Sequence, residues 1–398
     1  MKKQKYIPVL RFPEYKGEWE EKALGEIAEI NPPNESLPEE FIYIDLESVE
    51  NGELKKEYLL LNKDAPSRAQ RILKRKDILF QMVRPYQKNN LYFDKNGVYV
   101  ASTGYAQIRA NQSTRYLYQY LHFQYFVNDV IKRCTGTSYP AINSTDLSKI
   151  FLLLPNHPEQ QKIATFLTNV DDKLTQLKKK KTLLEQYKKG VIQKIFSQEI
   201  RFKDENGKEF PMWGEKKLKE ITEIYDGTHQ TPDYQDKGIP FYSVEHVTSN
   251  NFLVSKYISR EVFEKENARV KLEKGDILMT RIGDIGTAKY INWDIEASFY
   301  VSLALIKSSK NNNSEFICHF INSNYFHAEL HKRTIHVAFP KKINLGEIGE
   351  CLIKHPSLPE QTIIANFLSA IDDKINLVSE QIEKAELWKK GLLQKMFC

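Results

Sequence analysis

Apolar side chains return every seventh residue along two stretches of this chain. One set is Ile163, Val170, Leu177, Leu184 and Val191, interleaved with Leu167, Leu174, Lys181, Lys188 and Ile195. Sustained over more than four heptads and broken only by Lys181 and Lys188, this seam predicts a single long helix. The register returns with Ile364, Ile371, Val378, Ala385 and Leu392, interleaved with Leu368, Ile375, Ile382, Lys389 and Met396. Each stretch opens at a proline, Pro158 or Pro359, which suits the first helical position because no donor is lost there. A helix of about 39 residues is roughly 58 Å long at 1.5 Å per residue. One apolar stripe of that length needs a partner. The expected partner of each helix is the other, paired antiparallel about their midpoints. That would set Lys178 to Lys181 near Glu380 and Glu383 and hold two globular parts at opposite ends of a rod, related by a pseudo-two-fold axis.

The periodic stretches are copies of each other. Pro158–Phe196 and Pro359–Phe397 align without a gap at an offset of 201, with 17 of 39 pairs identical. Trp19–Ile30 matches Trp213–Ile224 at eight of twelve positions, and Lys76-Asp77-Ile78-Leu79 matches Gly275-Asp276-Ile277-Leu278. Phe126, Lys132, Arg133 and Pro140 return 200 positions later as Phe326, Lys332, Arg333 and Pro340. The segments between do not match, so a shared frame carries divergent inserts. β-Branched and aromatic runs predict strands over Ala23–Ile30, Phe41–Leu46, Asp77–Val83, Val98–Ile108 and Ile150–Leu154. Tyr116–Arg133 and Glu315–Arg333 each read as one helix. Strands and helices without regular βαβ alternation predict an α+β fold. Four parts follow: domains over 1–157 and 199–358, and helices over 158–198 and 359–398.

Composition narrows the class. At 398 residues, 41% apolar and 28% charged, the chain is ordinary for a globular protein of two domains. No apolar run approaches the roughly 18 residues of a membrane span. The basic start is interrupted by Pro8 before any leader-like apolar core develops. Cys134, Cys318, Cys351 and Cys398 are widely spaced, and a reduced cytoplasmic setting is expected. The net charge is +6, but Pro158–Ile200 alone carries nine lysines against five acids, so any polyanion-binding face must be a local cluster.

Catalytic signatures are sparse. Asn31-Pro32-Pro33-Asn34 resembles the start of the N6-adenine methyltransferase motif but lacks the aromatic that would stack on the base, and a proline turn explains it better. His327 and His331 stand at i and i+4, yet the glutamate is one place off from the metalloprotease pattern, and no metal is expected. No phosphate loop of the G-x-x-x-x-G-K-[ST] type occurs. The polar clusters fit nucleic-acid binding better, since they mix guanidinium, ammonium, amide and aromatic groups that read base edges and hold phosphates. In the first half these are Arg84, Tyr86, Lys88 and Asn89, then Lys132, Arg133, Thr137 and Tyr139. In the second half they are Thr228, His229, Arg281, Lys289, Lys332, Arg333, His336 and Lys341.

The duplicated segments PNHPEQQKIATFL and PSLPEQTIIANFL, the paired D-I-L motifs and the divergent stretch ahead of each helix resemble the specificity subunit of type I restriction-modification enzymes over the whole chain. The resemblance implies two tandem, pseudo-symmetric target-recognition domains, each reading one half of a split site on double-stranded DNA. It implies helices that set the gap between the halves and dock the modification subunits. Methyl transfer from S-adenosylmethionine, and the ATP- and Mg-dependent restriction step, would then belong to partner subunits, with no catalysis, cofactor or membrane contact in this chain. A stand-alone adenine methyltransferase or a coiled-coil scaffold for proteins are the alternatives.

Overall fold

The computed structural model describes residues 6–34, 36–253 and 255–398. The chain forms two compact units, one of residues 1–179 with 379–398 and the other of residues 180–378. Each unit is mixed α and β.

In the first unit the strand Ala28–Ile30 starts a four-stranded sheet ordered Ala28–Ile30, Tyr105–Ala110, Ile78–Gln81, Leu91–Tyr92. A second sheet runs Tyr58–Leu61, Glu40–Ile44, Tyr99–Ser102, Ala69–Ile72, with Tyr99–Ala101 parallel to Ile42–Ile44. The second unit repeats the first plan as Ile224–Asp226, Leu303–Ile306, Ile277–Ile282, Asp284–Tyr290. Its other sheet has three strands, Lys256–Ile258, Ile239–Tyr242 and Ser298–Phe299, again with a parallel pair. The common frame is thus the sheet that packs against the helices, and the units differ mainly in the other.

Several expected elements are divided. Ala23–Ile30 is two strands, Glu20–Ala23 and Ala28–Ile30, joined by a helical turn over Leu24–Ile27. Glu26 turns back to accept from the Ala23 N–H at 2.9 Å, and in the second unit Glu220 accepts from Lys217 N–H at 2.9 Å. Val98–Ile108 breaks at Thr103-Gly104 into Tyr99–Ser102 and Tyr105–Ala110. Tyr116–Arg133 and Glu315–Arg333 are each two helices, Thr114–Tyr120 with Gln124–Lys132 and Ser314–Ile321 with Asn324–Arg333. The apolar spacing continues across both breaks, which hid them. Locally, Lys88 takes up the freed His122 carbonyl at 3.1 Å, while Ser323 caps the later helix by accepting from Phe326 N–H at 3.4 Å.

The repeated motifs are structural anchors. Asp77, almost fully buried, accepts from Lys74 N–H, Gln107 and Arg109 at 2.7–2.9 Å. Asp276 likewise accepts from Glu273 N–H, Ser308 N–H and Lys307 at 2.7–2.9 Å. The buried carboxylate of each P-E-Q is matched by an arginine: Glu159 by Arg11 at 2.7 Å through two bonds, and Glu360 by Arg201 at 2.9 and 3.2 Å. The glutamines Gln160 and Gln361 donate to Pro155 O and Pro356 O, both at 2.9 Å. Asn31, the first residue of Asn-Pro-Pro, spends its side chain accepting from Gln107 N–H at 2.9 Å, as a turn residue would.

The long helices span His157–Phe196 and Leu358–Met396, which places Pro158 and Pro359 one residue inside the start. Within the first unit, Ile163, Leu167, Val170 and Leu174 share a core with Leu392, Leu393, Met396 and Phe397, while Leu177 is also buried. Lys389 meets Asp171 at 2.5 Å and Lys178 meets Glu386 at 2.7 Å, so these segments run antiparallel. Glu386 stands where Glu380 or Glu383 was expected; Glu380 instead pairs with Lys384 along its own helix. Within the second unit, Val191, Ile192, Ile195 and Phe196 share a core with Ile364, Ala365, Leu368 and Ile371, and Ile375 packs on it. There Lys188 holds both Asp372 oxygens at 2.6 Å. Val378 is buried, whereas Leu184 and Ile382 are half-buried.

Candidate nucleic-acid interface

In each unit an inner strand of the first sheet ends at a corner, against which a loop returns from the helix Gln124–Lys132 or its counterpart Asn324–Arg333. The first unit pairs Val83 with Ala141 and Thr135 with Ala141, and Arg84 N–H donates to Pro140 O at 2.7 Å. The second pairs Ile282 with Lys342 and Ile335 with Lys342, and Gly283 N–H donates to Lys341 O at 2.8 Å. The corner residue is left-handed in both, with φ 54° at Arg84 and 83° at Gly283. The loops 134–141 and 334–342 therefore occupy one place in the plan, although only Pro140 and Pro340 betray this in the sequence.

In the first unit this geometry joins the two clusters the sequence suggested. The Arg84 guanidinium lies 4.1 Å over the Tyr139 ring. Tyr86 and Tyr139 are exposed, as are Lys132, Thr137 and Ser138. Asp129 holds Lys132 at 3.4 Å and Arg133 at 3.1 Å. Lys88 and Asn89 are engaged inward. Lys88 donates to His122 O and Gln124 Oε1 at 3.1 and 2.8 Å, and burial pushes its ammonium below the usual lysine range. Asn89 accepts from Asn51 N–H at 3.2 Å. Both shape the corner rather than project from it.

In the second unit the clusters separate. Arg281, expected to reach a base, is buried: it donates to Val301 O at 2.9 Å and Ile343 O at 3.0 Å, and lies 3.5 Å from Asp226. Burial lowers its pKa from the ordinary arginine value. Arg281 thus ties the corner to the returning loop, and Gly283, not Arg281, stands where Arg84 stands. Thr228 is also buried, donating to Gln230 O at 3.3 Å. His229 is exposed and meets Asp226 at 2.9 Å. Burial would raise the Asp226 carboxyl, but hydrogen bonds from Arg269 and His229 outweigh it and hold it below the usual range. Lys289 is half-buried, 6.0 Å from the Trp293 ring centre. Lys332 and Arg333 pair with Glu329 at 2.7 and 2.8 Å. His336 bonds His331 O at 2.9 Å, with the two rings 4.4 Å apart, and Lys341 is exposed. The reading from sequence missed the tip itself, where Val337 and Phe339 are fully exposed.

These two corners repeat one geometry on a duplicated frame with different residues. Residues 16–186 and 212–387 each match the family described as type I restriction modification DNA specificity domain, and the chain belongs to that family. It is 25% identical over 382 residues to the type I restriction enzyme MjaVIII specificity subunit of Methanocaldococcus jannaschii, covering 90% of this chain and 86% of that one. The MjaIX specificity subunit of the same organism is 23% identical over 299 residues, covering 71% and 68%. Among solved structures, the type I restriction-modification S subunit from M. genitalium superposes with a TM-score of 0.61 at 15% identity, over 98% of this chain and 99% of that one. A chain from a study of complex assembly and conformational transition in the type I R-M system superposes with a TM-score of 0.55 at 20% identity, over 95% and 97%. Both share the fold. Among the described residues, no helix is long and apolar enough to cross a membrane.

Proposed function

We propose that this chain is the sequence-reading subunit of a type I restriction-modification complex, with each unit reading one half of a split site on double-stranded DNA. The observation that carries the reading is the corner-and-loop device made twice on one frame with different residues. Two readers joined by a stiff element contribute binding energy together only when spacing and register both match. A rotation of a few base pairs turns one reader from its groove, since a helical turn takes about 10 bp. The long helices serve as the spacer, pairing along their lengths, and as the seat of the modification subunits. Methyl transfer with S-adenosylmethionine belongs to those modification subunits, and ATP- and Mg-dependent cleavage to separate restriction subunits, all acting in the cytoplasm.

Arg84, Tyr139, Tyr86, Lys132, Thr137 and Ser138 serve one half-site. His229, Lys332, His336 and Lys341, with the 334–342 loop, serve the other. Co-expression with the modification subunits and genome-wide mapping of methylated adenines tests this. The expected result is one motif of two specified parts separated by unspecified bases. Methylation at a contiguous motif, or by this chain alone with S-adenosylmethionine, would overturn it.

A further inference from the structure

The two loop tips differ in whether one face of their aromatic ring is stacked against the corner. In the first unit the left-handed corner is Arg84, whose guanidinium lies over Tyr139. In the second the corner is Gly283, with no atom within 4 Å of where a Cβ would stand. The ring at the corresponding tip, Phe339, is 104% exposed, and Val337 is 97% exposed. Single apolar side chains on a surface are ordinary. Two at the tip of a loop pinned at its foot by Gly283, Ile282 and Lys342 make a projection. Lys332 and Lys341 are exposed near its two ends, which suits a polyanion on either side of an apolar point.

We propose, on the DNA-reading role above, that Phe339 with Val337 is a wedge that enters between two stacked base pairs of the half-site served by the second unit. Phenylalanine is among the residues that pry open base steps, and the lysines would meet the flanking phosphates. Pyrimidine–purine steps unstack most easily, so the wedge selects for such a step without a hydrogen bond to any base edge. Tyr139 stays under Arg84, and the other half-site is read without a wedge.

The test uses the full chain with its modification subunits and a duplex bearing the methylation-mapped site, with 2-aminopurine placed in turn at each position of one half. The wild-type complex should raise 2-aminopurine fluorescence several-fold at one step. Phe339→Ala should abolish that rise and weaken binding about tenfold while leaving the slope of log K against log salt unchanged. Phe339→Leu should keep most of both, and Lys341→Ala should reduce the slope by about one. Because the Phe339 side chain is fully exposed, its removal takes no packing away, and an unchanged melting temperature excludes misfolding. Equal binding and fluorescence in wild type and Phe339→Ala would overturn the wedge while leaving the DNA-reading role intact. Pelleting of wild type, but not Phe339→Ala, with phosphatidylserine vesicles would also overturn it, making the tip a membrane contact. Absence of any split methylated site would overturn both readings together.

Discussion

His319 lies in the helix Ser314–Ile321, at the place where the first unit has Gln119. It is buried, 3.2 Å from the Ser369 hydroxyl. Burial, with Lys188 adding to it, pushes its pKa down to about 3. An unfolded histidine titrates near 6.5. Below that value the unfolded chain binds a proton that the folded chain refuses, so stability is full above about pH 6.5 and falls as pH drops toward 3. Between pH 7 and 5 the loss is about 2 kcal/mol. His319→Gln, which installs the residue of the other unit, should shrink the drop in Tm between pH 7 and 5 by about 5 °C; an unchanged drop in a thermal scan would sink the assignment. Glu159 makes a sharper case, since it is fully buried against Arg11. Arg11→Met strands a buried carboxylate and should cost about 3–5 kcal/mol in urea unfolding, with much of it regained in Arg11→Met/Glu159→Gln. Side chains of this kind were only half legible. Arg84 and Arg281 look alike in sequence, each closing a strand. Only the fold reveals that Arg281 sits two residues short of the corner, where its side chain turns inward to carbonyl groups.

At the scale of elements, the heptad pattern disclosed the helices to within two residues because it depends on spacing alone. The breaks at 121–123 and 322–323 escaped it, since they are made by distant partners such as Lys88 and by one serine cap. Two of the lysines that interrupt the seams, Lys188 and Lys389, have their reason in the packing. Lys188 and Lys389 are copies of one residue, and Asp372 and Asp171 copies of another. Their ammonium–carboxylate contacts at 2.6 and 2.5 Å are the same interaction made twice. A polar pair in an apolar seam specifies alignment more than it adds stability. Replacing Lys188 and Asp372 together by Leu should leave the unfolding free energy from urea titration equal or higher, whereas Lys188→Leu alone should lower it by about 1–2 kcal/mol. If the double variant proved less stable than the single, the pair would be a stabiliser rather than a guide.

For the whole molecule, the duplication is legible in the sequence, and the family with it. The chemistry of the reading faces was not, because each depends on which loop lies over which corner. If the units read independently, exchanging residues 1–157 for the corresponding domain of another such protein should change one half of the methylated motif and leave the other. A change in both halves on a methylation map would end the modular reading. Inserting seven residues into each long helix adds about 10 Å of rise, and should lengthen the unspecified gap by about three bases at unchanged half-sites.

The twice-made Lys–Asp contact makes the repeat complementary to itself. Each copy carries both the donor and the acceptor, so either could be satisfied by a second copy of its own kind, as in an isologous dimer. The first unit closes its core with Leu392, Met396 and Phe397, and the first copy holds Val191, Ile195 and Phe196 at the matching places. A chain ending near residue 200 would thus lack the plug for its own core yet possess one for a twin. It should fold only as a pair, sedimenting as a dimer, and such a pair would bind a palindrome in which both halves are the first half-site.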